Sequence, residues 1–170
     1  MAAAGSHDRL QPSLLDRLTD HAPDDKRESF DQQTLTMQRL RQAVLRDLAW
    51  LLNTTNLATT DELSGTPLVA RSTINFGIPG ITGLVAYAGK QGTLETMLAE
   101  AIRIFEPRIR PDSIKVRARE SKEAQAVPAM VFEIAGELWA QPVPQQLFLE
   151  TSIELETRLA VITDARGGTR

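Results

Sequence analysis

The sequence predicts an α+β fold in which N-terminal helices pack on a small, mainly antiparallel β-sheet formed by the C-terminal half. Two segments before residue 106 carry apolar residues at helical spacing, and three segments after residue 112 alternate apolar with polar residues. Prolines lie in the short connections between the alternating segments, at residues 128, 142 and 144. Short connections between strands favour an antiparallel meander, and helices that precede strands favour the α+β class.

The chain has 170 residues, which is enough for one domain with flexible ends. We place this domain at residues 29–163. Residues 1–28 are predicted to be a flexible N-terminal segment, and residues 164–170 a disordered tail.

A short helix is predicted inside the N-terminal segment, at residues 12–18, with Ser13 as its N-cap. Leu14, Leu15 and Leu18 form one small apolar face on this helix. One or two helical turns are not stable alone in water, so this face must dock on its own domain or on a partner.

Two longer helices follow, one over about residues 30–52 and one over about residues 93–105. Ser29 and Gln32 have the spacing of a capping box at the start of the first helix, and Pro107 closes the second. The apolar stripe of the first helix comprises Met37, Leu40, Val44, Leu48 and Leu51, and that of the second comprises Leu94, Leu98, Ala101, Ile102 and Phe105. Between the helices, residues 68–90 contain several glycines and a proline, which predicts an ordered loop with little regular structure.

Three strands are predicted in the C-terminal half. Their apolar faces comprise Ile114, Val116 and Ala118, then Met130, Phe132 and Ile134, then Leu147, Leu149, Thr151, Ile153 and Leu155. The other face of the first strand is basic, with Lys115, Arg117 and Arg119. An open edge of such a sheet can accept a strand from a partner, but the sequence does not indicate which edge is open.

Composition excludes several classes of function. A net charge of −3 argues against bulk binding to nucleic acid, and the absence of cysteine rules out disulfides and cysteine-based metal sites. The N-terminus lacks the apolar core of a signal peptide, and no apolar stretch is long enough to cross a bilayer. We therefore predict a soluble, intracellular protein that binds no cofactor.

The residues that could carry catalysis form no convincing site. His7 and His21 lie in the segment predicted to be flexible, and a catalytic histidine needs a rigid setting. A glycosidase needs two carboxylates at a defined separation, and nothing in the spacing selects a partner for Glu106 among Glu100, Asp112 and Glu120. The segment 77–83 is rich in glycine but contains a proline and no lysine, so it is interpreted as a structural loop and not a phosphate loop.

The tripeptide Glu106-Pro107-Arg108 marks the corner between the second long helix and the basic strand. Proline stiffens the corner, and an arginine beside it can make bidentate bonds to a carboxylate. Glu106 lies at a helix C-terminus, where a negative charge is unfavourable, so it needs a cationic partner. Two interpretations stay open: the corner docks on a partner, or its two charges only brace it.

A local excess of basic residues surrounds this corner, at positions 103, 108, 110, 115, 117, 119 and 122. It is either the solvated face of a strand or a docking surface for an acidic partner. Nucleic acid is a less favoured partner, because no aromatic residues alternate with these charges.

Several motifs, in order along the chain, resemble the baseplate-wedge family of contractile phage tails, and most closely its type VI secretion (TssE) branch. They are PSLLDRL at 12–18, VLRDL at 44–48 continuing into LLNT at 51–54, STINFGIP at 72–79, AIRIFEPRI at 101–109, FEIAGEL at 132–138, and the final strand from about Leu147. The family pattern has a glycine where Arg158 stands in this chain, so the turn after the last predicted strand differs.

The resemblance implies a structural subunit without enzymatic activity, within a type VI secretion baseplate wedge that starts polymerisation of the contractile sheath. Implied partners are the wedge subunits TssF, TssG and TssK and the sheath subunits TssB and TssC, the latter through strands added to a sheet edge. The implied location is the cytoplasmic face of the inner membrane, without membrane insertion. The lysozyme-like label that some members carry implies a peptidoglycan hydrolase as the alternative. The predicted partner-binding residues are Glu106, Pro107, Arg108, Leu14, Leu15, Leu18, Arg117 and Arg119.

Overall fold

Helices occupy the N-terminal half of the chain and a four-stranded antiparallel sheet occupies the C-terminal half, which confirms the predicted α+β class. A computed structural model describes residues 13–19, 36–80, 91–119, 129–139, 145–154 and 159–164. The helices are α1 (Leu14–Leu18), α2 (Met37–Leu52), α3 (Pro67–Ala70) and α4 (Gln91–Phe105), with 3₁₀ turns at Leu57–Thr59 and Thr73–Asn75. The strands are β1 (Lys115–Arg119), β2 (Ala129–Leu138), β3 (Gln145–Glu154) and β4 (Ala160–Asp164), which are adjacent in chain order.

The first long helix begins later than predicted. Thr36 is the N-cap of α2, and its side-chain oxygen accepts a hydrogen bond from the Arg39 N–H at 3.2 Å. The predicted start near residue 30 is therefore corrected to Met37, and the proposed cap of Ser29 and Gln32 lies outside the described residues. The second long helix was predicted correctly to within two residues.

The fourth strand was not predicted. β4 pairs with β3 in antiparallel register, with Ala160 opposite Ile153 and Asp164 opposite Leu149. Asp164, predicted to lie in the disordered tail, is the last residue of this strand. The connection before β4, which contains Arg158, lies outside the described residues.

The core lies between one face of the sheet and the apolar stripes of α2 and α4. Phe132 and Leu149 contribute from the sheet, and Val44, Leu48 and Ile102 contribute from the helices, each no more than 1% exposed. Burial of these predicted stripes is the main reason that the helices form, since amphipathic helices of this length depend on tertiary packing.

A close backbone contact orders the loop between α2 and α4. Gly77 has a φ of 126°, and the Ile78 N–H beside it donates to the Thr54 carbonyl at 2.9 Å. A Cβ atom at Gly77 would lie 2.4 Å from that same carbonyl oxygen, so only glycine fits. The loop also buries Asn75, whose side chain accepts from the Ala58 N–H and donates to the Ala70 carbonyl. The prediction of an ordered loop with little regular structure holds up to residue 80, and residues 81–90 lie outside the described part.

Side chains from the helices hold both edges of the sheet. On β4, the Asn53 carboxamide exchanges two hydrogen bonds with the main chain of Ala160, both at 2.9 Å, and Arg41 makes a bidentate ion pair with Asp164. On β1, the Ala118 N–H donates to the Glu95 carboxylate at 2.7 Å. Edge strands expose unpaired main-chain groups, and contacts of this kind protect them.

Replacement of Thr151 by valine is expected to stabilise the protein by about 1 kcal/mol. Thr151 is fully buried on the core face of β3, and its hydroxyl has no hydrogen-bond partner among the residues that the structure describes. Valine keeps the shape and removes the unsatisfied polar group. Urea unfolding of the two proteins would measure the difference, and a loss of stability in the variant would mean that the hydroxyl has a partner after all.

Candidate functional site

The corner after α4 is a tight turn joined to the sheet. The Glu106 N–H makes the last helical bond, to the Ile102 carbonyl at 2.9 Å, and the Ile109 N–H donates to the Glu106 carbonyl at 3.1 Å across the exposed Pro107. The Arg108 carbonyl then accepts from the Trp139 N–H at 2.7 Å, just beyond the end of β2. The corner is therefore fixed to α4 on one side and to the sheet on the other.

Glu106 and Arg108 form an ion pair inside the corner. The Arg108 Nε donates to one Glu106 carboxylate oxygen at 2.7 Å, and Nη2 donates to the other at 2.5 Å. The Arg108 main-chain N–H adds a third bond at 3.1 Å. The Glu106 side chain is only 3% exposed and that of Arg108 is 25% exposed. The cationic partner that Glu106 requires at a helix C-terminus is thus supplied within the same chain.

The ion pair continues into α2 and α1 as an alternating chain of five charges: Glu106, Arg108, Asp47, Arg46 and Asp16, which we term the charge chain. Asp47 bridges the two arginines, accepting from Arg108 Nη2 at 2.5 Å and from Arg46 Nε at 2.8 Å. Arg46 Nη1 donates to Asp16 at 2.5 Å. Each guanidinium therefore lies between two carboxylates, and the chain links the corner to the short N-terminal helix.

The charge chain shifts the pKa values of its members. Burial alone would lower the pKa of Arg108, but the hydrogen bonds and charges of Glu106 and Asp47 outweigh it and raise the pKa. Burial alone would raise the pKa of Asp16, but the hydrogen bonds from Arg46 and Ser13 and the charge of Arg46 lower it below its ordinary value of 3.8. Arg108 is therefore a permanent cation, whereas Asp16 can be neutralised by acid.

Helix α1 forms as predicted and is attached to the domain mainly through its polar side. Ser13 is its N-cap, with the hydroxyl oxygen accepting from the Asp16 N–H at 3.3 Å. A cleft of about 360 Å³ separates α1 from α2 and the corner, and Leu14, Leu15 and Trp50 contribute to its walls. Leu14 and Leu18 are nevertheless 71% and 74% exposed. The polar side of α1 thus contacts its own domain, while most of its predicted apolar face stays available.

Acid is expected to release α1 from the domain. Because the pKa of Asp16 is lowered in the folded state, its contribution is present above the ordinary value of 3.8 and is lost as the pH falls through the lowered value. Trp50 lies under Arg46, with the guanidinium carbon 5.2 Å from the ring centroid, so its fluorescence should report the release. The measurement is a pH titration of a Trp139→Phe protein, in which Trp50 is the one remaining tryptophan.

The Asp16→Asn variant in the same background is the control for this titration. It should show the acid signal already at neutral pH and lack the transition. An unchanged transition in Asp16→Asn would show that another group controls the fluorescence.

The basic residues near the corner are largely neutralised by carboxylates of the same chain. Arg119 pairs with Glu133 at 2.9 Å and lies 3.8 Å from Glu150, while Arg103 and Arg110 also have acidic partners. Within the described part of the chain, the exposed Lys115 and Arg117 make no ion pair. The predicted positive patch is therefore confined to the outer face of β1, and residue 122 lies outside the described residues.

The candidate catalytic residues are engaged elsewhere or lie outside the described residues. Glu106, Glu100 and Asp112 each pair with an arginine. Glu120, His7 and His21 are not among the described residues. No group of three or more His, Cys, Asp or Glu side chains in the described ranges is placed to hold a metal ion. The backbone contact at Gly77 supports the interpretation of its loop as structural.

Sequence reasoning placed Glu106, Pro107 and Arg108 at the corner but missed the rest of the charge chain. Arg46 and Asp47 were noted only as part of the VLRDL motif at residues 44–48, and Asp16 only as part of the short motif at residues 12–18. The available signal was the pair of adjacent opposite charges within residues 43–52, the second part of α2, which is otherwise apolar. Their partners are 30 and 61 residues away, which no local pattern reveals.

A corner fixed to both α4 and the sheet by ion pairs and main-chain bonds, with apolar side chains exposed near it, offers a surface suited to contact with another protein. A family model described as "Baseplate wedge protein gp25" matches residues 38–143, which is more than half of the chain. The chain belongs to this family. No curated protein and no solved structure gives a significant match.

Membership of this family assigns a structural role in a phage-type baseplate, with contacts to other baseplate components. The matched residues include all of α2 except its first residue, the corner and the basic strand β1, but not α1. No helix in the described part of the chain is long and apolar enough to cross a membrane.

Proposed function

We propose that this chain is the TssE-type subunit of a type VI secretion baseplate. In this role it joins the wedge with TssF, TssG and TssK and anchors the first ring of the sheath subunits TssB and TssC. Its place is then the cytoplasmic face of the inner membrane. Family membership supports a baseplate role, and the resemblance of residues 12–18 and of the Glu-Pro-Arg corner favours the type VI branch over a phage tail.

The observation that carries this proposal is the rigid corner. Arg108 makes its polar contacts with Glu106 and Asp47, so we assign it a positioning role and not a direct one. What the corner presents to a partner is the exposed Pro107, beside Trp139, which is 66% exposed. A fixed surface suits assembly, because a contact that is already ordered loses little conformational entropy on binding.

Helix α1 supplies a second contact surface in this proposal. Leu14 and Leu15 line the cleft together with Trp50, which is 51% exposed, and the exposed Leu18 lies on the same short helix. Exposed apolar side chains gathered in one place mark an interaction surface. The charge chain joins this surface to the corner. A single partner that covers both surfaces would therefore bind them at a fixed distance and orientation.

Co-purification with the other wedge and sheath subunits tests the proposal. Wild type should be retained, and Arg108→Ala should be lost although circular dichroism shows it folded. Arg110→Ala is the matched control, since Arg110 is two residues away and forms only surface pairs with Asp112 and Glu137. Failure of wild type to bind any of these subunits would overturn the proposal.

A second pair of variants tests α1 without disturbing the core. Leu14→Asp combined with Leu18→Asp should abolish retention of the wedge subunits, because it places two charges on the exposed apolar face. Leu68→Asp is the control, because Leu68 is 85% exposed in another part of the fold. If the double variant retains the wedge subunits as well as wild type does, α1 is not part of the contact surface.

A further inference from the structure

We infer that the outer face of the sheet, which is the face turned away from α2 and α4, binds an amphipathic helix of an assembly partner. The helix lies along β2, with an acidic flank over β1 and a basic flank over β3. This inference rests on the proposed assembly role and specifies one surface within it. It follows from the exposure of this face, from the lengths of its side chains, and from the separation of its charges between strands.

The outer face is open to solvent, whereas the other face of the sheet packs on α2 and α4. Lys115 and Arg117 on β1 are exposed. The side chains of Arg119, Glu133 and Glu150 are 61%, 51% and 45% exposed. Alternate residues of a strand point to one face, so these five side chains lie on the same side of the sheet. A partner can therefore reach all of them without any change in the fold.

Short side chains on β2 lie between longer ones on its two neighbours. Val131 and Ala135 on β2 are half-buried, and Ala135 lies directly opposite Lys115 on β1 and Phe148 on β3. Neighbouring strands are about 4.8 Å apart, so β1 and β3 are about 10 Å apart. An α-helix with its side chains is about 10–12 Å across, so a single helix along β2 would contact both flanking rows. Its apolar side would then cover Val131, Ala135 and Phe148.

The cations of β1 select the acidic flank. Lys115 and Arg117 make no ion pair with any described residue. Acidic residues on the near side of a covering helix would lie beside them, where partial removal of water strengthens the attraction between opposite charges. β1 thus favours a partner that carries negative charge on this side.

The carboxylates of β2 and β3 select the basic flank. Glu133 on β2 is directly opposite Glu150 on β3, and like charges in this position are unfavourable. Both depend on Arg119, whose Nη1 lies 2.9 Å from Glu133 and 3.8 Å from Glu150. Arg117 is opposite Glu133 on β1 but forms no ion pair with it. Arg119 alone cannot neutralise two carboxylates, so a lysine or arginine of the partner on this side would stabilise the pair.

A partner of uniform charge fits this face less well. A wholly acidic surface would be repelled by Glu133 and Glu150, and a wholly basic one by Lys115 and Arg117. The cations of β1 and Glu150 of β3 lie on opposite sides of β2, separated by about the width of one helix. Charge and shape therefore select the same occupant, and they also fix which flank of the helix lies over β1.

Neutral substitutions on the two flanking strands test the separation of charge. Full-length proteins would be titrated with co-expressed TssF, TssG and TssK, and separately with co-expressed TssB and TssC. Lys115→Gln combined with Arg117→Gln should bind one of these complexes about fivefold more weakly than wild type, and Glu150→Gln should bind the same complex about threefold more weakly. These variants change the net charge in opposite directions, so an effect of net charge alone would weaken one and strengthen the other.

Arg39→Gln combined with Arg71→Gln is the matched control. Both arginines are exposed, and neither forms an ion pair within the described part of the chain. The control removes the same two positive charges from another part of the surface and should bind like wild type. Circular dichroism should show that all variants are folded. Glu150→Gln in particular relieves the repulsion from Glu133, so its weaker binding would not reflect a damaged sheet.

Protection of single cysteines tests the position of the helix. The chain contains no cysteine, so one can be introduced alone. Ala135→Cys, on β2, should react with a maleimide in the free protein and be protected in the complex. Val161→Cys, on the same face of β4, should stay reactive, because β4 is about 10 Å from β2 and beyond the half-width of a helix. Gly65→Cys, where an added Cβ meets no atom within 4 Å, should react equally in both states.

The outcomes separate the inference from the proposed function. If wild type binds and the variants on β1 and β3 bind equally well, the inference is wrong and the assembly role stands. Protection of Val161→Cys together with Ala135→Cys would also contradict it, because the partner would then be broader than a helix. If wild type binds neither complex, the proposed function fails and the inference fails with it. Weaker binding for both sets of charge variants, with protection limited to Ala135→Cys, is the expected result.

Discussion

Replacement of Arg108 by methionine is expected to lower the free energy of unfolding by about 3 kcal/mol, because it leaves a buried carboxylate without its cation. Glu106 is 3% exposed and receives three hydrogen bonds from Arg108. Methionine retains much of the apolar stem but removes two of these bonds and the positive charge. Asp47 loses the same partner, which adds to the effect.

A double-mutant cycle separates lost charge from lost packing. Glu106→Gln in the Arg108→Met background removes the uncompensated charge and should restore about half or more of the lost stability. Urea unfolding of wild type, both single variants and the double variant gives the coupling free energy. If Arg108→Met costs less than about 1 kcal/mol, the pair behaves as an exposed salt bridge and the corner is not braced by it.

Replacement of Gly77 by alanine is expected to cost at least about 3 kcal/mol, since backbone strain and a steric clash act together. The φ of 126° is one that residues with a side chain rarely adopt, and the added Cβ would lie 2.4 Å from the Thr54 carbonyl oxygen. Relief of the clash would break the reciprocal bonds of Ile78 with Thr54 and Asn56, which tie the loop to the end of α2.

Gly92→Ala is the matched control for this substitution. Gly92 lies in α4, and an added Cβ there would meet no atom within 4 Å, so the control should keep or slightly raise stability. Thermal unfolding of both variants gives the comparison. Equal stability of the two would show that the loop at Gly77 can rearrange at little cost.

The parts of the fold that follow from local periodicity were predictable from the sequence. The stripes of α2 and α4 and the alternation of β1 to β3 are patterns that a buried face imposes on neighbouring residues. β4 escaped prediction because Leu159, Ala160, Val161 and Ile162 form a continuous apolar run without alternation. The start of α2 was misplaced because Ser29 with Gln32 matches a capping box, whereas the cap in the structure, Thr36, has no such partner.

The candidate site likewise has one part that the sequence predicted and another that it did not. Proline after an amphipathic helix, with a charge on each side, indicated a stiff corner. Whether Arg108 faces a partner or its own domain depends on Asp47, which is 61 residues away in the sequence. That distance lies beyond any local pattern, so the bracing contact of Arg108 with α2 could not be predicted from the sequence, and docking of the corner on a partner stays a proposal.

The contacts that join α2 to β4 also affect how the chain acquires its fold. Arg41 and Asp164 are separated by 123 residues, and Asn53 and Ala160 by 107. Contacts between such distant segments are slow to form, because a long loop must close before they contribute stability. During synthesis, α2 emerges long before the strand that it holds, so the sheet has its fourth strand in place only after residues 160–164 have been made.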